Sequence, residues 1–341
     1  MEPKGRILVI GAGAIGGVLG ALLARSGHEV VFLTHGGGTA ERIRDGLEVT
    51  GVRGAFRAKA EAVERPEELS GGFAAVLAAV KGYDLESALS SVLPRVPPDC
   101  PVVSLQNGIC LDVLERLAGR ERAVGCVVGW GATMHGPGRV ELTSEGEFVI
   151  GALSDAGAAE KVRRILADAF PTAVTPDIFA YLYSKLIINS CITTLGALSG
   201  RTLGWMLARR GYRTVFIGVI REAMAVADAL DVGVPPYGGA LDYYAFRKGK
   251  GPFDGLRRHA VLLAVGLKYR RLKSSSLQSL ERGRPTEVDN YNGYIARRAR
   301  ERGVPVPLNE ALTARVHEIE AGRRGIGTGN LDADLLRLAR G

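Results

Sequence analysis

Several residues and patterns that build specialised sites are scarce in this 341-residue sequence. It contains four cysteines and five histidines, and no two cysteines form a C-x-x-C pair. A structural zinc site and a disulfide framework are therefore not expected. No apolar run approaches the roughly 20 residues that span a membrane, and the first residues are typical of a strand and a glycine turn instead of a signal peptide. These absences predict a cytoplasmic protein with no bound metal and no membrane partner.

Positive charge is concentrated in one half of the chain. The formal net charge is +8, but residues 1–175 carry 18 basic and 21 acidic side chains, whereas residues 176–341 carry 26 and 15. The basic half is compatible with a nucleic-acid surface, with attraction of a small anionic substrate and a cofactor phosphate, or with a solvated surface alone. The sequence contains no recognised nucleic-acid motif, so we expect no nucleic-acid partner.

Strand and helix patterns alternate in the first half of the chain, and helical patterns fill the second half. The alternation predicts an α/β domain with a doubly wound, mostly parallel sheet over residues 1–175. The later helices predict an all-α domain over residues 176–341. The glycine-broken basic segment 241–260 is interpreted as a loop. Strand patterns lie at 6–10, 29–34, 74–81, 101–108, 123–130 and 146–151, and helical patterns at 84–93, 111–118, 178–198, 211–231, 256–266, 286–302 and 308–321.

A glycine-rich turn follows the first strand pattern. Its spacing is G-x-G-x-x-G, directly before a helix, which is typical of the Rossmann dinucleotide-binding turn. The first glycine permits the tight turn, the second leaves room for a pyrophosphate, and the third lets the helix pack close to the strand. The helix N-terminus then offers unpaired N–H groups to the anion. The residues predicted to bind the dinucleotide here are Gly11, Ala12, Gly13, Ala14, Ile15 and Gly16.

The end of the second strand bears on which dinucleotide is bound. An NAD site usually places Asp or Glu about 20 residues after the glycines, where it binds the ribose 2′-hydroxyl. Here that place holds Leu33, Thr34, His35 and Gly36, with no acid. Because a carboxylate would repel a 2′-phosphate, its absence favours NADP. Thr34, His35 or the nearby Arg42 are the candidate phosphate contacts.

A polar line interrupts the apolar pattern "SKLIINSCITT". Lys185, Asn189 and Thr193 recur every four residues, so a helix would place them along one face. The apolar residues between them would anchor the helix in its domain. The pattern predicts that the polar line forms one wall of a site.

Five separated motifs together resemble the ketopantoate reductase (2-dehydropantoate 2-reductase) family. They are "ILVIGAGAIGG", "AAVKGYD", "SLQNGI", "SKLIINS" and "SSSLQSLERGRPTEVDNYNGYI" at 274–295. They occur in the family's order over roughly 300 residues. The resemblance implies a Rossmann domain, a following helical domain and an active site in the cleft between them. It also implies NADPH-dependent reduction of a 2-keto acid to a 2-hydroxy acid, with 2-dehydropantoate and pantothenate biosynthesis as the first expectation.

The resemblance also implies roles for individual residues. Lys185 matches the family's general acid, and Glu287 matches a glutamate at the cofactor and substrate edge of the cleft. Asn189 and Ser275 match substrate-binding residues. Lys81 and Asn107 match residues near the ribose and nicotinamide, and Asn107 also lies near the substrate. Each has a simpler explanation when taken singly: a surface lysine, turn chemistry, or the start of a capped helix.

The chain departs from the family pattern at two substrate-side positions. The family often has asparagine eight residues after the lysine, where this chain has Thr193, and just before the serines, where it has Leu272. These changes leave the exact keto acid open, so a reductase of another 2-keto acid or imine stays an alternative. A non-catalytic NADP-binding sensor is a further alternative, and the sequence leaves a homodimer possible without deciding it.

Overall fold

The computed structural model describes residues 4–154, 156–238, 241–249 and 251–340. The chain divides into two compact units, Met1–Leu182 and Tyr183–Gly341. The first unit contains every strand that follows, and the second contains helices within the same described ranges. The predicted α/β class for the first part and helical class for the second part are confirmed.

The first unit is built on an eight-stranded sheet in the order β12-β11-β8-β7-β6-β1-β2-β5, with a second sheet in the order β4-β3-β10-β9. Strands β8 to β5 of the large sheet run parallel, and β11 pairs with β8 in the antiparallel direction. The strands are β1 Lys4–Ile10, β2 His28–Leu33, β3 Leu47–Gly51, β4 Phe56–Ala58, β5 Glu61–Val63, β6 Ala75–Ala78, β7 Val102–Ser104, β8 Ala123–Val128, β9 Gly131–Gly136, β10 Arg139–Ser144, β11 Phe148–Ala152 and β12 Thr172–Val174.

The helices of the whole chain follow in order along the sequence. They are α1 Ala14–Arg25, α2 Thr39–Gly46, α3 Leu85–Val92, α4 Leu111–Ala118, α5 Ala156–Ala167, α6 Ile178–Ser199, α7 Leu203–Leu207, α8 Arg210–Ala229, α9 Tyr243–Arg247, α10 Pro252–Lys268, α11 Ser275–Glu281, α12 Asn292–Arg302, α13 Pro307–Glu320 and α14 Ala333–Arg340. Helix α6 begins in the first unit and continues into the second.

Strand β1 contributes side chains to both faces of the large sheet. Because side chains alternate along a strand, Ile7 and Val9 lie in one buried cluster with α1 and α5, and Leu8 and Ile10 lie in another with α3 and α4. The chain extends from β1 to β2 and β5 on one side, then returns through β6 on the other. The point where the order reverses therefore lies at the ends of β1 and β6, which is where ligands bind in open α/β sheets.

The second sheet was not predicted from the sequence. Strand β10 pairs with β3 in parallel register, with Val140 opposite Val49. A Cβ added to Gly17 of α1 would lie 2.9 Å from Val140 Cγ1. The small sheet therefore covers the outer side of α1, and it does so by contacts between segments far apart in sequence.

The prediction of a loop over 241–260 was wrong, because most of the described part of this segment is helical. Asp242 caps α9 through its side chain, which accepts hydrogen bonds from the N–H groups of Tyr244 and Ala245. Helix α10 begins at Pro252 after Gly251, and proline suits the first turn of a helix because it needs no N–H partner there. Of the glycines that suggested a loop, Gly249 and Gly251 lie between the two helices, and Gly255 lies within α10.

Helix α6 has the length and composition of a membrane span, and 72% of its most apolar window is buried inside the protein. A core helix passes the same test of length and composition. Its own residues Leu186 and Ile187 have no exposed surface. We therefore assign α6 to the core.

Candidate active site

The glycine turn connects the end of β1 to the start of α1. Gly11 has φ +96°, and its N–H donates to the carbonyl of Leu33 at 2.9 Å. A side chain at Gly11 would be strained by that φ and would meet Val80 Cγ1 at 3.0 Å. A Cβ at Gly16 would lie 2.0 Å from the carbonyl oxygen of Gly11. Both glycines are therefore required by the fold itself, as the motif predicts.

Gly13 differs from its two neighbouring glycines. Its φ is −73° and it is the N-cap of α1, so its backbone is open to any residue. A Cβ added there would have no atom within 4 Å. The first turn of α1 also contains no acidic side chain, which leaves the positive end of the helix dipole available to an anion. Gly13 therefore leaves the N-terminus of α1 open to an anion such as the phosphate groups of a dinucleotide.

The segment after β2 would lie beside the adenosine ribose of such a cofactor. Thr34 is buried, and its N–H donates to the carbonyl of Val63 at 2.9 Å. His35 is exposed. Three glycines follow with positive φ, Gly36, Gly37 and Gly38, and their small size keeps this edge open. The segment from Thr34 to Gly38 offers no carboxylate to a ribose.

Two further predicted cofactor residues lie at the ends of β6 and β7. Lys81 is half-buried and precedes a short 3₁₀ turn, and Asn107 is half-buried before Gly108, whose φ is +85°. Gln106, between these two positions, was not predicted from the sequence. Its buried amide donates to the carbonyls of Ala78 and Val80 at 2.9 and 3.0 Å.

Gln106 therefore ties the Asn107 turn to the end of β6, next to the position of Lys81. Its side-chain oxygen in turn accepts a 2.6 Å hydrogen bond from Ser104. The local signal in "SLQNGI" is a glutamine at the end of an apolar strand, where a polar side chain is unexpected. Its role depends on strand neighbours that the local sequence does not reveal.

The polar line on α6 lies in the helical unit. Lys185 and Asn189 are partly accessible, whereas Leu186, Ile187 and Cys191 on the other sides of the helix are fully buried. The helix is anchored by its neighbours, because Ser184 donates to the carbonyl of Pro235 and receives a bond on its own carbonyl from Tyr243, both at 2.8 Å. The accessible side of α6 thus presents an amine and an amide one turn apart.

Thr193 continues the line but is only 5% exposed. Its hydroxyl donates to the carbonyl of Asn189 at 2.7 Å, so its proton is already used within the helix and its lone pairs are what it offers a ligand. The backbone carbonyl of Thr193 accepts a 3.3 Å bond from Ser274, the N-cap of α11. This contact brings the start of α11, including half-buried Ser275, to the end of the polar line.

Glu287 is 6% exposed and precedes a 3₁₀ turn, Val288–Asn290. The preceding Thr286 is held by two 2.7 Å bonds to Glu320, from its N–H and from its hydroxyl. The backbone that carries the Glu287 side chain is therefore fixed by α13. A buried acid placed this way suits the orientation of a substrate or a neighbouring amine.

A buried polar network that the sequence did not suggest supports this part of the unit. Glu222 accepts bonds from the N–H groups of Leu308 and Asn309 at 2.9 Å and from the Asn309 amide at 2.7 Å. Asn309 accepts from Asn292 at 2.9 Å, and Asn292 accepts from the hydroxyl of Thr194. The network links α8, α13 and α12 to the helix that carries Lys185.

Other chemistries find less support in the structure. In the described ranges, no group of three or more His, Cys, Asp or Glu is placed to hold a metal ion. The four cysteines Cys100, Cys110, Cys126 and Cys191 are buried and unbridged. Burial raises the pKa of the Cys100 thiol to about 11, which keeps it protonated and poorly nucleophilic near neutral pH.

Comparison with known proteins gives consistent matches along the chain. Residues 7–155 match a family model described as ketopantoate reductase PanE/ApbA, and residues 177–320 match the model of its C-terminal part. A 2-dehydropantoate 2-reductase of Archaeoglobus fulgidus is 30% identical over 322 residues, 93% of this chain and 98% of that protein. A relative of the same description from Pyrococcus abyssi is 28% identical over 93% of this chain and 98% of its own length.

Solved structures agree with these matches. A PanE/ApbA family ketopantoate reductase from Ralstonia eutropha superimposes with a TM-score of 0.80 at 30% identity, over 94% of this chain and 100% of that one. A D-mandelate dehydrogenase crystallised with NADH and anilino(oxo)acetate superimposes with a TM-score of 0.79 at 23% identity, over 93% and 98% of the two chains. At that identity the second match shows a shared fold alone.

Proposed function

Since the chain belongs to the ketopantoate reductase family and is an oxidoreductase, we propose that it reduces a 2-keto acid to a 2-hydroxy acid with NADPH. The first expected substrate is 2-dehydropantoate. The observation that carries the proposal is the half-buried amine and amide of Lys185 and Asn189, one turn apart on a helix whose residues Leu186, Ile187 and Cys191 are fully buried. A polar edge on such a helix costs core packing and is expected where a ligand binds.

The chemistry assigns one task to each residue. NADPH, when bound, supplies the hydride. Lys185 would donate a hydrogen bond and then a proton to the keto oxygen, where negative charge develops. Asn189 would orient the substrate from the next turn of α6. The hydroxyl of Ser275 would bind the substrate carboxylate, and Glu287 would orient a substrate hydroxyl or the lysine.

The cofactor would be held by residues of the first unit. Gly11, Gly13 and the start of α1 would hold the pyrophosphate, because the space at Gly13 is open and the helix end carries no acid. Lys81 and Asn107 would contact the ribose and nicotinamide. The carboxylate-free segment from Thr34 to Gly38, with Arg42 nearby, supports NADPH over NADH.

A second substrate is favoured by the environment of Thr193. Its hydroxyl proton is donated to the helix backbone, and Leu272, at the other departure from the family pattern, is 40% exposed. Two hydrogen-bond donors of the expected substrate pocket are thereby absent. A 2-keto acid with an apolar branched side chain is therefore the alternative to 2-dehydropantoate.

Steady-state kinetics with a panel of 2-keto acids, followed by NADPH absorbance, test the proposal. We expect turnover of 2-dehydropantoate and a preference for NADPH over NADH in kcat/KM. Turnover of an apolar keto acid alone would keep the reaction and change the substrate. Dinucleotide binding without turnover of any keto acid or imine would indicate a sensor and refute the proposal.

A further inference from the structure

Three neighbouring strands of the large sheet end beside residues assigned above to the cofactor. Strand β1 ends before the glycine turn, β6 ends before Lys81, and β7 ends before Asn107. A dinucleotide that contacts all three ends requires them at a fixed spacing, because a misplacement of about 1 Å can lower a reaction rate about 100-fold. The paired residues of β6 and β7 do not set that spacing by themselves, since their register stops short of Lys81 and Asn107.

The ladder between β6 and β7 stops where the chain bends at Asn107. Just beyond the paired residues, the N–H of Leu105 donates to the carbonyl of Ala78 at 3.0 Å. Because the bonds of a parallel ladder are evenly spaced, a continued strand would bring the N–H of Asn107 to the carbonyl of Val80. The chain instead bends at Asn107 and Gly108, and Gly108 has φ +85°.

The side chain of Gln106 takes the place of the next ladder bond. Its NH2 group donates to the carbonyls of Ala78 and Val80 at 2.9 and 3.0 Å. Its oxygen accepts a 2.6 Å bond from the hydroxyl of Ser104. The reversed amide would place its oxygen against both carbonyls, so these partners fix its orientation. Gln106 is 5% exposed, so these bonds are made inside the protein, where a carbonyl without a donor destabilises the fold.

Val80 connects this amide to the glycine turn. A Cβ added to Gly11 would lie 3.0 Å from Val80 Cγ1 and 3.1 Å from Val80 N, so the backbone of Val80 packs directly on the turn. Lys81 follows Val80 in the sequence. Gln106 therefore holds the glycine turn, the residue before Lys81 and the bend at Asn107 in one arrangement.

We propose that Gln106 is a positioning residue for the nicotinamide half of the dinucleotide. The proposal rests on the proposed function, because that function assigns Lys81 and Asn107 to the ribose and nicotinamide. Gln106 acts through these two residues, since its own amide is engaged by protein atoms. A side chain that completes the ladder lets the backbone leave the sheet at Asn107, which keeps that residue for a ligand instead of committing its N–H to Val80.

The glycine turn has supports of its own, so the effect of Gln106 is expected to be local. The N–H of Gly11 donates to the carbonyl of Leu33 at 2.9 Å, and the N–H of Gly17 donates to the carbonyl of Gly13 at 2.8 Å. Neither bond involves β6 or β7. Loss of the Gln106 amide should therefore weaken contacts to the nicotinamide half and leave those to the pyrophosphate and adenosine in place. A residue that only stabilised the fold would weaken the binding of every dinucleotide fragment alike.

Calorimetric titration with NADPH and with 2′-phospho-ADP-ribose, which lacks the nicotinamide, tests this distinction. Gln106→Leu removes both donors; it should raise the NADPH Kd about tenfold and the 2′-phospho-ADP-ribose Kd by about twofold or less. Ser104→Ala leaves the glutamine in place but removes the partner of its oxygen, and it should raise the NADPH Kd about threefold. The matched control Thr172→Val removes a 2.9 Å hydroxyl-to-carbonyl bond at β12 of the same sheet and should change neither Kd.

The fluorescence of bound NADPH gives a second readout that does not depend on turnover, because its emission comes from the nicotinamide ring. At saturating NADPH, Gln106→Leu should show lower emission anisotropy than wild type, since the ring is held less firmly. The similarly shaped Gln106→Glu should show the same loss, because its carboxylate has no donor for the two carbonyls.

Two results would overturn the proposal while leaving the proposed function intact. An equal loss of affinity for NADPH and 2′-phospho-ADP-ribose would give Gln106 a structural role alone. Unchanged NADPH affinity and anisotropy would show that its amide positions nothing. Ser104→Ala is judged by the same two criteria, so the test does not depend on the folding of Gln106→Leu. Failure of the wild type to bind NADPH would refute the proposed function, and this inference with it.

Discussion

The three glycines of the dinucleotide turn allow a prediction that separates a ligand requirement from a folding requirement. Gly13 and Gly16 lie three residues apart on the same turn, and the two variants to compare are Gly13→Ser and Gly16→Ser. At Gly16 the new Cβ would lie 2.0 Å from the carbonyl oxygen of Gly11 and 2.9 Å from Ala79 Cβ. At Gly13 it would meet no atom of the protein within 4 Å.

The structure gives different magnitudes for the two substitutions. Overpacking costs about 1–3 kcal/mol and sometimes more, and the contact at Gly16 is with backbone, which cannot rotate away. We therefore expect Gly16→Ser to lose about 3 kcal/mol of stability, or roughly 6–12 °C in Tm for a unit of this size. Gly13→Ser should change stability by about 0.5 kcal/mol or less, because serine is a favoured N-cap residue.

Cofactor affinity is expected to show the opposite contrast. The serine side chain at position 13 would occupy the space assigned to the pyrophosphate, so the NADPH Kd should rise at least about tenfold, or 1.4 kcal/mol. Calorimetric NADPH titration and thermal melts of the unliganded variants measure the two effects separately. Unchanged NADPH affinity in Gly13→Ser would show that no pyrophosphate lies there, and an equal loss of Tm in both variants would refute the steric argument.

Three further outcomes follow from other parts of the structure. Lys185→Met should lower kcat by about 10²–10⁴-fold with NADPH Kd unchanged, since it removes the proton donor, and Lys185→Arg should recover little; undiminished turnover would exclude the role. Glu222→Gln should lower the free energy of unfolding, measured in urea, by about 1–3 kcal/mol, because one N–H donor of the network would then face the NH2 group of the glutamine and lose its acceptor. Burial raises the pKa of Glu222, so the folded state holds the proton more tightly than the unfolded state does. The difference in unfolding free energy between wild type and Glu222→Gln should therefore decrease from about pH 4 to pH 8. A difference that increases over this range would mean that the three N–H donors outweigh the effect of burial. Native protein should resist a thiol reagent near neutral pH and react at four cysteines after unfolding, and rapid native labelling would contradict the burial of Cys100.

The first unit was predictable where the signal is local. The run 6–10 and the glycine turn after it identify β1 and the start of α1, because alternation and glycine spacing act within a few residues. The second sheet was missed because its strands are short and because β3 pairs with β10, about 90 residues later. A helical pattern over 256–266 was predicted, but the first turns of α10 were included in the 241–260 loop because Gly249, Gly251 and Gly255 weaken a helical pattern; Pro252 starts the helix there, and packing on α7 stabilises it.

In the candidate site too, the sequence indicates which residues matter but not which contacts position them. The sequence pointed to Lys185 and Asn189, because an amine and an amide stand out in an apolar helix, and the family resemblance of its motifs implied Glu287. It did not reveal what holds them. Gln106 acts through carbonyls of a neighbouring strand, and Glu222 acts through the start of α13, which is 86 residues away. Such partners are set by tertiary packing, so no local pattern predicts them.

The network from Glu222 to Thr194 has a consequence for how α6 is used. Thr194 is directed into the core, where it bonds Asn292, while the preceding Thr193 turns toward the polar line and gives its proton to Asn189. Thr194 therefore fixes the helix, and Thr193 ends the proposed substrate wall with its hydroxyl proton already donated to the helix backbone. A larger amide at position 193 would find its backbone held in place by Ser274. Thr193→Asn should for this reason change substrate preference more than stability, and it would add the donor that a hydroxylated keto acid needs.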